Sequence, residues 1–250
     1  MTASKLALIY ALLTCTCVAE DAHEYLRVQG DKVPFFKNLP AAELPVMKTG
    51  SDTTGTLDVN RIRKSVFDLV VYTRDEHGIE KISSFGTAFA LQIEDDVFLA
   101  GCHHVLRNAV APLFKFAVLV KGEDGVWFHV EKFQGVCDKT DFILMKPSRV
   151  LPVSFVLTPF KSKPLDTLYT CGRLGRFSAV FRKGELMARE ESFLLTSLAA
   201  GQGSSGSPVF DEKGLLVGMV TEVLPLLRES GLYSGDHFAE SVITKCRAFE

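Results

Sequence analysis

From Ser65 onward the chain is cut into short runs of β-branched and aromatic residues, separated at regular intervals by glycine, proline and acidic turn signals. Runs of this length are too brief for core helices, and their punctuation is that of an all-β protein. Ser65–Thr73 reads as a strand. Phe85–Gln92 and Val97–Ala100 form a hairpin around Glu94-Asp95-Asp96. Leu113–Lys121 and Val126–Phe133 form a second around Gly122-Glu123-Asp124-Gly125, and Phe142–Met145 is a short buried strand. A proline-bearing connection, Pro147–Pro164, leads to a second series: Leu165–Cys171, Phe177–Arg182, Glu185–Glu190, Phe193–Ser197, Pro208–Phe210 and Leu215–Val223. In the last segment, Phe238–Phe249, the apolar residues Phe238, Val242, Ile243 and Cys246 follow helical spacing. The expected architecture is two six-stranded antiparallel barrels, at about 65–148 and 160–238, with a C-terminal helix, because closure removes the edges such short strands would expose.

The bulk properties exclude some functions. Of 250 residues 47% are hydrophobic, enough for a sizeable core, and the 28 Lys and Arg residues are dispersed through a chain of net charge −2. There is no basic stripe for nucleic acid. No apolar run is long enough to suggest stable membrane insertion of the folded part. Residues 1–19, with Lys5, the apolar run Leu6–Val18 and small residues at Cys17 and Ala19, read as a secretory signal, which implies a secreted or extracytoplasmic protein. The alternative is a membrane remnant of a viral, host-membrane-associated enzyme. Residues 20–60 carry Pro34, Pro40 and Pro45 and little periodicity, and read as an arm, linker or pro-segment.

Three segments carry chemistry. Gly201-Gln202-Gly203-Ser204-Ser205-Gly206-Ser207-Pro208 sets serines in a glycine-rich turn before an apolar strand, where the backbone can bend sharply and aim amide N–H groups at one point. Phe98-Leu99-Ala100-Gly101-Cys102-His103-His104-Val105 runs a strand into a small-residue turn bearing two histidines, either of which can serve as a general base. Thr140-Asp141-Phe142-Ile143-Leu144 opens an apolar strand with an acid that can orient an imidazole. Cys102, His103 and His104 are too close in sequence to converge readily on one tetrahedral ion, so neither metal nor other cofactor is expected.

The order histidine, aspartate, serine, with these settings, resembles the chymotrypsin-like serine proteases. In particular it resembles the divergent branch of bacterial glutamyl endopeptidases, high-temperature-requirement proteases and viral chymotrypsin-like proteases. The matching segments are Phe85–Phe89, Leu99–Val105, Asp141–Leu144, Gly203–Phe210 and Leu216–Thr221, within a span from Ser65 to Phe249. The resemblance implies a protease domain over 61–250 and a serine endopeptidase acting on polypeptides through an acyl-enzyme. It makes Ser205 the nucleophile, His104 the base and Asp141 the orienting acid, with the amides of Gly203 and Ser205 as the oxyanion hole. It also puts Ala199, Ala200, Gln202, Val220, Thr221 and Val223 around the substrate, Thr221 supporting the acid. Ser204 stands where pancreatic-type relatives carry the aspartate that receives the new N-terminus, so that activation switch is not expected. Ala199, Ala200, Val220 and Val223 lack the polar specificity groups of trypsin-like and glutamyl relatives, which suggests a small apolar site. The rival function is a catalytically silent double barrel serving as a binding module.

Overall fold

The computed structural model describes residues 20–39, 44, 56–107, 114–151, 154–157, 163–190, 193–225 and 242–248. Twelve strands among them form two closed antiparallel barrels. The first contains β1 (Val66–Arg74), β2 (Glu80–Ile93), β3 (Asp96–Cys102), β4 (Lys115–Lys121), β5 (Trp127–Cys137) and β6 (Phe142–Pro147), in the order β1-β2-β3-β6-β5-β4. The second contains β7 (Thr167–Leu174), β8 (Phe177–Glu190), β9 (Phe193–Thr196), β10 (Pro208–Asp211), β11 (Leu216–Pro225) and β12 (Val242–Ala248), in the order β10-β11-β12-β9-β8-β7. The first barrel is filled by fully buried side chains such as Phe89, Leu99, Phe116 and Ile143, the second by Leu168, Leu186, Leu194 and Val209. A short passage between the barrels stitches them together. Phe155 accepts from Gln92 N at 2.7 Å and donates to Ala90 O at 3.1 Å, Leu157 bridges to Leu216, and the Phe155 ring meets Phe210 edge-on.

Two sequence expectations are corrected. The C-terminal helix is instead strand β12, at least over Val242–Ala248; Phe238, which anchored the helical spacing, lies outside the described residues. β-Branched Val242, Ile243 and Thr244 suit a strand, and β12 occupies the edges that β11 and β9 would otherwise leave open. The two runs Phe177–Arg182 and Glu185–Glu190 are one strand, β8. Gly184 is no turn there: a Cβ at this position would lie 2.7 Å from Leu198 N, so the glycine marks a close crossing of two backbones.

The arm is structured where it is described. Residues 20–29 are helical (α1), and Ala22, Leu26 and Val33 are buried against Val70, Tyr72, Ala117 and Leu119 of the first barrel. Phe36 then pairs with Phe116 through both backbone groups, at 2.7 and 2.8 Å. Further on, Thr56 and Leu57 pass over Gly214 of the second barrel, and Asp58 caps helix α2 (Val59–Lys64) by accepting from Asn60 N and Arg61 N. The proposed signal, residues 1–19, lies outside the described residues.

Candidate active site

Strand β3 ends at Cys102 and the chain turns at once into helix α3 (His103–Arg107). The amides at the start of this short helix are met by Asp141, which precedes the neighbouring strand β6. Its carbonyl accepts from His103 N at 3.1 Å and its Oδ1 from His104 N at 2.8 Å. The remaining carboxylate oxygen, Oδ2, takes the His104 ring at Nδ1, 2.6 Å away. Two hydrogen bonds to one residue thus fix both position and tautomer of the imidazole, leaving Nε2 as its outward nitrogen. Burial works against ionisation of Asp141, but the hydrogen bonds from the His104 ring and amide, the charge of that ring and the Cys102 thiol outweigh it. The carboxyl is held below its ordinary range. Asp141 adopts φ 52°, a left-handed conformation that aspartate tolerates better than most side chains. It is secured by its own N–H to Asp138 O at 3.1 Å.

The neighbouring histidine is held elsewhere. His103 is buried, and its Nδ1 lies 2.6 Å from Asp138 Oδ1 at the other end of the same turn. The structure therefore distinguishes the two imidazoles: His104 is half-exposed on Asp141, whereas His103 is enclosed and tied to Asp138.

The serine turn approaches this corner from the second barrel. Thr87 on β2 links the two: its N–H donates to Ser205 O at 2.8 Å, its hydroxyl donates to Gly203 O at 2.9 Å, and that hydroxyl accepts from Arg173 N at 3.0 Å. Gly206 permits the approach. It sits at φ 92°, and a Cβ there would lie 1.9 Å from Thr87 O. Gly86 is also close-packed, its hypothetical Cβ 3.0 Å from both Ser205 O and a Val105 methyl, so the serine and the residue after His104 press on the same glycine. The described hydrogen bonds of His104 run to Asp141; none reaches Ser205.

Within the turn the three serines differ. Ser204 and Ser207 are wholly buried and only Ser205 is partly exposed. The amides alternate as well. Those of Ser204, Gly206 and Ser207 donate to Gly201 O, Val220 O and Ser204 O, whereas Gly203 N and Ser205 N meet no carbonyl among the described residues. Two uncommitted N–H groups beside a partly exposed serine are the backbone pattern that an oxyanion site needs. Ser204 Oγ is the turn's internal anchor. It donates to Arg173 O at 2.9 Å and accepts from Arg182 Nη1 at 2.9 Å and Gly201 N at 3.1 Å.

The other residues expected around substrate are distributed unevenly. Ala199 and Gln202 are exposed and Ala200 is half-buried, with Ala199 O held by Arg182 Nη1 at 2.7 Å. Val220 is buried in the core of the second barrel, and its contribution comes through the backbone: its carbonyl accepts from Gly206 N at 2.8 Å and from the Cys102 thiol at 3.3 Å. Thr221 is buried at a bulge of β11, between residues where the register with β12 shifts. Val223 lies in β11, opposite Thr244 of β12. Cys102, His104 and Asp141 bring potential metal-ligand atoms within 4.8 Å of one another, a set different from the Cys102-His103-His104 group suggested by sequence adjacency. Those atoms already serve the His104–Asp141 hydrogen bond, so an ion bound there would have to break it.

Sequence reasoning missed Thr87, Arg173 and Arg182. Thr87 stood inside a motif, but its hydroxyl acts across the barrel interface. The two arginines look like ordinary strand residues until the barrels are assembled.

Two antiparallel barrels, with a His–Asp pair on one and a glycine-rich serine turn of the other against it, define a chymotrypsin-like serine protease fold. Residues 86–219 match the family model of the trypsin-like peptidase domain, and the chain belongs to that family. No curated protein matches the sequence.

Proposed function

We propose that the protein is a serine endopeptidase that hydrolyses peptide bonds through an acyl-enzyme on Ser205. The observation carrying this reading is the 2.6 Å bond from His104 Nδ1 to Asp141, with the half-exposed Ser205 turn latched to the same barrel through Thr87. His104 Nε2 takes the Ser205 proton as Oγ attacks the substrate carbonyl. Asp141 keeps Nε2 in the accepting tautomer and stabilises the imidazolium that results. The carbonyl oxygen, now negative, enters between Gly203 N and Ser205 N, an interaction worth about 3 kcal/mol per donor in this type of site. His104 then returns its proton to the leaving amine, and water repeats the sequence to release the acid.

Small apolar residues are the favoured substrate side chains, given the alanines at 199 and 200 beside the serine turn. Incubation of the folded protein with a mixed peptide library tests reaction and preference together. Cleavage after small apolar residues, absent in Ser205→Ala, is expected. A dominant cut after Arg or Glu overturns the preference, and no cleavage by wild type favours a silent binding module.

A further inference from the structure

Arg173 lies beneath the serine turn, bonded to it directly through Ser204 and indirectly through Thr87. Its backbone carbonyl receives Ser204 Oγ at 2.9 Å, its backbone N–H meets Thr87 Oγ1 at 3.0 Å, and the same threonine hydroxyl holds Gly203 O at 2.9 Å. Its aliphatic stem forms the floor under Gly203: a Cβ on that glycine, which sits at φ 87°, would lie 2.9 Å from Arg173 Cδ. The far end of the side chain leaves the second barrel. Nη1 reaches Asp68 Oδ2 on β1 of the first barrel at 3.1 Å, with both side chains only 7% exposed, and Nε donates to Gly175 O at 2.9 Å. The guanidinium also faces the Phe85 ring, its Cζ 5.1 Å from the centroid. Ser178, on β8, donates a second hydrogen bond to Asp68 Oδ2.

We infer that the buried Asp68–Arg173 ion pair is a positioning device for the oxyanion-binding turn, fixing the Gly203 and Ser205 amides by clamping the floor of the turn to the opposite barrel. This rests on the protease reading for its catalytic consequence, but not for its mechanical one. A bidentate-capable guanidinium anchored at both Asp68 and Gly175 cannot slide without breaking a buried bond, so its stem presents Gly203 with a rigid surface. In a chain with Ser204 in place of an acid, the pair is an internal means of ordering the turn that needs no newly formed N-terminus. The contact also ties turn order to barrel docking, since Asp68 and Thr87 belong to one barrel and the turn to the other.

The test uses the full chain and two variants. Asp68→Asn keeps the shape and removes the charge; burial already opposes that charge, raising the Asp68 carboxyl against the pull of Arg173. Ser178→Ala, at an exposed position, removes only the supporting hydrogen bond and guards against a failure of Asp68→Asn to fold. Amide hydrogen exchange over residues 201–206 reads the mechanical effect. Steady-state cleavage and affinity for a peptide aldehyde, which places an oxyanion in the site, read the catalytic one. Faster exchange in the turn is expected for both variants. For Asp68→Asn, kcat and aldehyde affinity should fall by on the order of 10-fold to 100-fold while KM stays within about threefold, the pattern of a displaced catalytic group. Exchange and kcat within twofold of wild type in folded variants would overturn the inference, as would a loss of kcat matching the unfolded fraction. An inactive wild type would instead overturn the protease reading, and exchange would still decide whether the pair holds the turn.

Discussion

Replacing Ser204 by alanine removes one oxygen and three hydrogen bonds. Ser204 is wholly buried, so the loss is not made good by surface water. Its bond from Arg182 Nη1 is charge-assisted, although Arg182 keeps Ala199 O as a partner. The bond to Arg173 O leaves a carbonyl of a buried residue, 6% exposed, without its donor. Gly201 N, in a half-buried residue, can turn to solvent and costs least. Taking about 1–3 kcal/mol for the orphaned carbonyl and about 1 kcal/mol net for the arginine bond, Ser204→Ala should lose roughly 3 kcal/mol of stability. Urea unfolding followed by Trp127 fluorescence measures this from the shift in midpoint at unchanged slope. Because the same bonds shape the turn, kcat should fall by about tenfold or more while KM changes little. A stability change below about 1 kcal/mol together with an unaltered kcat would refute the view that Ser204 orders the turn from within.

Asp141→Asn should reduce kcat by about 10⁴-fold with the fold intact, measured by steady-state cleavage, since the amide favours the wrong histidine tautomer. Asp141 also predicts an acid limb of stability. Its folded carboxyl is held below the ordinary value of 3.8, so its contribution is full above that pH and is lost as the pH falls through the lower folded value. Urea midpoints measured from pH 6 downward should therefore fall more steeply in wild type than in Asp141→Asn. Burial pushes the Cys171 thiol up to about 12, so alkylation by iodoacetamide at pH 8 should spare it in the folded protein and reach it after unfolding; the modified peptide is read by mass spectrometry. Deleting residues 1–60 removes Leu26 and Val33 from the first barrel, burial worth about 1.5–3 kcal/mol each. The shortened chain should melt several degrees lower, and a melting temperature within about 2 °C of the full chain would show the arm to be dispensable.

The fold was largely legible because barrel strands advertise themselves locally. The short β-branched and aromatic runs and the turn signals that mark β1 to β6 depend on residues a few positions apart, as in the acidic turn between Gln92 and Val97. What was not legible depends on long-range pairing. Gly184 has the composition of a turn and serves as a crossing, which only the position of Leu198 reveals. β12 carries a helix-like spacing, and the open edges of β11 and β9 decide against it. The proposed catalytic residues stood out because each lies in a distinctive local setting: His104 after a small-residue strand end, Asp141 at a strand start, Ser205 among glycines. Their supports did not. Thr87, Asp68 and Arg173 sit far apart in the chain and acquire their role only when two barrels meet. The family resemblance alone picks His104 over His103, and the structure gives each imidazole a different aspartate from a single turn.

In the proposed mechanism Ser205 is a nucleophile activated by His104. Labelling of the folded protein with a fluorophosphonate, followed by peptide mapping, tests it most directly. One adduct is expected, on Ser205, formed in wild type and lost in both Ser205→Ala and His104→Ala. A folded wild type that takes up no label, or carries it on Ser204 or Ser207, would contradict it.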